Sequence, residues 1–197
     1  MNGRNRCRRS NKSAIGVRTS AYTLVELLIV IAILGISASL LVPYMINRDT
    51  MNVQSAVRRV IGDLSFAQSD ALSHQQLRRV HFYPDGHGYC ITRISEADLS
   101  QPFDQATADY IRDPLAGPGS GGDYIVDFVV DERFKGITVE SSTIDGNGHD
   151  LQFDTLGGTI MIGGVPGTGG NVVLASGQER YRITISPFTG KLTVVKL

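Results

Sequence analysis

Glu26 stands in the run Leu24-Val25-Glu26-Leu27-Leu28, a single acid among aliphatic side chains. No charged residue follows it from 27 to 47. At about 1.5 Å per residue, that uncharged stretch rises about 31 Å as a helix, enough to cross a bilayer core of about 30 Å. A carboxylate one turn into such a helix costs roughly 2.5–3.5 kcal/mol at the bilayer centre and less near an interface, so a positive partner is expected to neutralise it.

Other chemistry-bearing residues form no enzyme signature. There is no Gly-x-Ser-x-Gly elbow, no Gly-Lys-Ser/Thr phosphate loop and no His-Glu-x-x-His pair. His74, His81, His87 and His149 lack zinc-ligand spacing and read as surface histidines. Asp145-Gly146-Asn147-Gly148-His149-Asp150 alternates oxygen-bearing side chains as calcium loops do, but lacks the closing bidentate Glu and reads as a tight turn. Arg180, Arg182, Lys191 and Lys196 could form a small basic face on the last hairpin, with Glu179 beside it and no aromatic–basic repeat. Two cysteines, Cys7 and Cys90, make no disulfide framework, and Cys90 reads as a small half-buried residue. No enzymatic activity, cofactor or metal is expected.

The elements that must position Glu26 begin with a charge asymmetry. Six of the 19 basic residues lie in 1–21, which holds no acid; 13 remain against 19 acidic residues in 22–197, a balance of −6. A basic head before an apolar helix predicts a cytoplasmic N-terminus with the rest of the chain across the membrane. A secretory signal peptide would place its small-residue cleavage site after the apolar stretch, whereas Ala21 precedes it. The acidic body argues against nucleic acid as a partner. Beyond residue 47, Val53, Ala56, Val57, Val60, Ile61, Leu64, Ala67, Ala71 and Leu72 recur at spacings of three and four, predicting an amphipathic continuation over 48–78, with Arg58, Arg59, Asp63 and Asp70 off the stripe. Pro43 is expected to bend the helix.

From residue 79 the period changes to two. Strand-like runs lie at 80–83, 89–94, 124–130, 137–141, 151–153, 159–162, 172–175, 181–185 and 191–195. Residues 95–122, rich in polar side chains, Pro and Gly, read as a mobile insertion. Gly190 is expected to supply a positive φ in the final hairpin.

Ala21-Tyr22-Thr23-Leu24-Val25-Glu26-Leu27-Leu28 resembles the processing site of type IV prepilins and type II secretion pseudopilins. The resemblance implies cleavage between Ala21 and Tyr22 by a prepilin peptidase/N-methyltransferase, methylation of Tyr22, and a Glu26 that pairs with the N-terminal amine of a neighbouring subunit. Ala21 stands where the family usually has Gly, and Tyr22 where it has Phe.

Phe153-Asp154-Thr155-Leu156-Gly157-Gly158, a Gly-rich spacer, and the run from Tyr181 through Pro187-Phe188-Thr189-Gly190-Lys191 resemble the C-terminal domain of the GspH/FimT family of minor pseudopilins and minor pilins. That likeness implies an α+β, type IV pilin-like fold, a long helix packed on antiparallel β-sheets. The expected organisation is a cleaved leader at 1–21, a transmembrane helix at 22–47, its amphipathic continuation at 48–78, and a β-rich GspH-like domain at 79–197. The implied role is a minor pseudopilin at the tip of a periplasmic type II secretion pseudopilus, anchored in inner-membrane lipid and assembling with other pseudopilins. The alternative is a FimT-like minor pilin of a type IV pilus or competence system that binds DNA.

Overall fold

The structure, a computed structural model, describes residues 22–115, 121–146 and 148–197, without the side chains of 40–50 and 162. The leader and Ala21 lie outside the described residues, and so do Asn147 and the Pro43 side chain on which the expected bend depends. The chain divides into two compact units, Met1–Val42 and Pro43–Leu197. Helix α1, Leu24–His74, contributes to both.

In the first unit, the side chains of 24–39 are exposed on every face of the helix. Its hydroxyls are turned back onto the backbone: Ser37 Oγ donates to Ile33 O at 2.8 Å and Ser39 Oγ to Ile36 O at 2.7 Å. Such back-bonding leaves no hydroxyl donor free on an apolar surface. Among the described residues, no helix is long and apolar enough to cross a membrane. Side chains of 40–50 are not described, while the uncharged sequence runs on from Ser39 to Asn47.

In the second unit, α1 buries Val53, Ala56, Val57, Val60, Leu64, Ala67 and Ala71, one stripe at helical spacing. Ile61 is half-buried and Leu72 is exposed. The helix stops where Gln75 takes φ +51° and Gln76 N–H returns to Ala71 O at 3.2 Å.

Among the described residues ten strands follow: β1 (Leu77–Phe82), β2 (Gly88–Ile94), β3 (Asp109–Tyr110), β4 (Ile125–Asp127), β5 (Thr138–Ile144), β6 (Asp150–Phe153), β7 (Thr159–Ile160), β8 (Gly170–Ser176), β9 (Glu179–Ile185) and β10 (Leu192–Lys196). They form two antiparallel sheets, one ordered β3-β2-β1-β6-β7 with β4 also on β2, the other β10-β9-β8-β5. Val80, Phe82, Tyr89, Ile91, Leu151 and Phe153 of the first sheet share one core with Val172, Leu174, Ile183 and Ile185 of the second and with the helix stripe. This is the α+β architecture expected of a type IV pilin-like fold. Burying each large side chain of that core contributes about 1.5–3 kcal/mol.

Residues 95–115 carry structure that the sequence pattern did not announce. A short 3-10 helix, Glu96–Ser100, buries Leu99 against Leu77 and Ile160. Further on, Ile111, Arg112 and Asp113 pair with Tyr124, Asp123 and Gly122.

Candidate functional site

Glu26 lies in the first turn of α1, in a reciprocal cap. Glu26 N–H donates to Thr23 Oγ1 at 3.2 Å, and Thr23 N–H donates to Glu26 Oε2 at 3.4 Å. This capping box starts the helix at Leu24. Its sequence signal, Thr23-x-x-Glu26, is legible, and it assigns Thr23 a role that the reading of the apolar run alone misses. Tyr22 precedes the helix and is 84% exposed. Only Oε2 of Glu26 is engaged by the cap, so Oε1 is left for another donor.

A second polar centre fixes the helix to the globular part. Arg59 Nε donates to Asp63 Oδ2 at 2.7 Å and Nη2 to Asp113 Oδ2 at 3.0 Å. Tyr89 Oη donates to the same Asp63 oxygen at 2.5 Å. Burial pushes the Asp63 carboxyl above its ordinary range, against the hydrogen bonds of Tyr89 and Arg59. The sequence pattern put Arg59 and Asp63 off the apolar stripe; both are in fact drawn in, because each meets a charge it can pair with.

The face of the first sheet away from the helix is polar and covered. Arg79 and His81 on β1 sit opposite Thr92 and Cys90 on β2 and Gln152 and Asp150 on β6. Arg79 Nη2 donates to the carbonyls of Asp98 and Gln101 at 2.5 and 3.0 Å, and Phe103 stacks on His81 at 4.0 Å. His81 is therefore buried, not a surface histidine, and its Nδ1 lies 2.6 Å from Asp150 Oδ1. Cys90 is fully buried rather than half-buried, and burial pushes its thiol up to about 12. Such a thiol is inert at neutral pH. A cleft of about 420 Å³ opens beside Arg79, Thr92 and Phe103.

Gln68 joins the two halves of the C-terminal motif. Its Nε2 donates to Gly157 O at 2.6 Å and to Thr189 O at 2.9 Å, so one helix side chain holds both turn tips. Gly190 has the expected positive φ, +62°, and Phe188 joins it at +60°. Asp145 Oδ1 accepts from Thr168 N–H at 2.6 Å, which commits that carboxylate to a turn. The basic hairpin is half neutralised: Arg180 Nε binds Glu140 at 2.7 Å and Lys196 Nζ binds Glu179 at 2.6 Å.

The family model of the prokaryotic N-terminal methylation motif matches residues 18–42, spanning Ala21, Tyr22 and Glu26. This is a type IV pilin-like prepilin signal. It supports a pilin- or pseudopilin-like subunit, processed by prepilin peptidase and assembled with other pilins. No curated protein and no solved structure matches the chain.

Proposed function

We propose that this protein is a minor pseudopilin of the type II secretion system, a non-enzymatic assembly subunit of the pseudopilus tip. In this reading it is cleaved between Ala21 and Tyr22, methylated on Tyr22 and held in the inner membrane by the helix over 22–47, with its globular unit in the periplasm. The observation that carries the proposal is the methylation motif over 18–42, with an acid in the first turn of the helix it opens. The GspH-like order of the C-terminal motifs, held together by Gln68, favours the minor-subunit role.

Glu26 supplies the mechanism. In apolar surroundings a lone carboxylate is costly, while one facing a neighbour's N-terminal ammonium is neutralised. Only one axial offset between adjacent helices brings both charges together, so the cost of burial becomes a register signal. The Thr23 cap fixes the carboxylate at the helix start and leaves Oε1 for that ammonium.

Glu26→Ala tests this. Insertion and cleavage are expected to persist, while copurification with partner pseudopilins is lost. Thr23→Ala is the control, because it removes the Oγ1 half of the cap and keeps the charge; it is expected to assemble. Wild-type copurification and secretion by Glu26→Ala would refute the register role.

A further inference from the structure

The last hairpin leaves a sheet edge open. Ser186 N–H donates to Lys191 O at 2.9 Å and Leu197 N–H to Arg180 O at 3.0 Å. With the register of β9 and β10, these bonds fix the alternation: Thr193 and Val195 turn their amides toward β9. The N–H and C=O groups of Leu192, Val194 and Lys196 consequently point away from β9, and β10 is the outermost strand of its sheet. Among the described residues, no backbone partner meets them.

Sheet edges are ordinarily blunted by Pro, a bulge or an inward-pointing charge. β10 has no Pro and no register shift; its one charge, Lys196, lies on the face of Val194 at the end of the strand, where Glu179 neutralises it at 2.6 Å, so Leu192 to Val195 carry no blunting charge. Val194, Val195 and Leu197 are exposed along it. On the core face Val194 sits opposite Ile183; on the outer face Val195 sits opposite Arg182, and Lys191 precedes the strand. Arg182 and Lys191 are exposed and have no acidic partner among the described residues. Lys191 and Val195, the position Arg182 flanks, are four positions apart.

We propose that the β10 edge takes an extended acidic segment of another protein as a fifth strand. The segment carries acids four residues apart, facing Lys191 and Arg182, and an apolar side chain beside Val194. Main-chain hydrogen bonds to Leu192, Val194 and Lys196 give it hold, and the two cations select its charge. A second copy of β10 does not fit, because Leu192-Thr193-Val194-Val195-Lys196 offers no acid. Nucleic acid fits less well, since a duplex cannot use the backbone ladder and its phosphates would meet Glu140 and Glu179. This inference is independent of the fibre reading.

The test uses the full chain in detergent with a blocked Glu-Val-Thr-Val-Glu peptide, followed by amide exchange. The peptide is expected to slow exchange at Leu192, Val194 and Lys196 and to leave Thr193 and Val195 unchanged. Replacing both Glu by Lys is expected to weaken binding about tenfold. Val194→Pro removes only an outward amide, so the chain is expected to fold and lose the peptide. Unslowed exchange at millimolar peptide, equal binding by Val194→Pro, or tighter binding of a single-stranded oligonucleotide at the same edge would overturn the proposal.

Discussion

Cys90 and Arg59 are two residues whose environment, rather than type, decides what they do. The Cys90 thiol is pushed up to about 12 from an ordinary 9.0, so over that interval the unfolded chain gives up a proton that the native chain keeps. Stability therefore falls as pH rises from the lower value to the higher, by about 1.4 kcal/mol per pH unit for one group. Cys90→Ala is expected to lessen the slope of unfolding free energy between about pH 9 and about pH 10, the remainder coming from buried tyrosines such as Tyr89 whose ionisation burial also raises. Urea melts across that interval check it, and an unchanged slope would contradict it. Arg59→Met leaves Asp63 and Asp113 buried without their cation, and a loss of about 3–5 kcal/mol is expected in the same melts. A loss below about 1 kcal/mol would place the pair in effective contact with water. Neither residue was fully legible in sequence. A helix stripe is read from apolar residues, and nothing local announces that Asp113, 54 positions along the chain, will meet Arg59.

Among the elements, the helix and most strands were legible because periodicity reports burial directly: the stripe from Val53 to Ala71 and the alternation of Tyr181 through Ile185 both appear in the fold. The run 124–130 shows the limit. Only Ile125–Asp127 is a strand, since Asp127 Oδ1 accepts from Val129 and Val130 N–H at 2.8 and 3.1 Å and turns the chain, leaving both valines exposed. Apolarity predicted burial there, and a side-chain turn overrode it. Over 95–115 the anchors are single residues, Leu99 and Phe103, too sparse to make a period. The final turn holds the complementary case. Phe188 is 64% exposed yet sits at φ +60°, a region costly for a side chain with a Cβ. Phe188→Gly is expected to stabilise the fold by about 1 kcal/mol, seen as a raised Tm. A lowered Tm would show that the ring packs in a way that outweighs the strain.

At the scale of the whole molecule, charge is unevenly spread: residues 1–21 are basic and 22–197 are acidic on balance. The balance of −6 over 22–197 predicts that the chain from Tyr22 onward does not retain duplex DNA at physiological salt. Salt-sensitive retention in a mobility shift, abolished by changing Arg180, Arg182 and Lys191, would instead favour a DNA-handling pilin. The methylation signal and Glu26 were legible in the sequence, and so was the Thr23-x-x-Glu26 pattern of the cap, though a reading of the apolar run alone passes over it. All of this depends on where the mature chain begins. Intact-mass and N-terminal peptide spectrometry of the membrane-purified protein decides it most directly. A chain beginning at N-methylated Tyr22 is the predicted result; a retained 1–21 segment, or a cut after Ala38, would contradict the account.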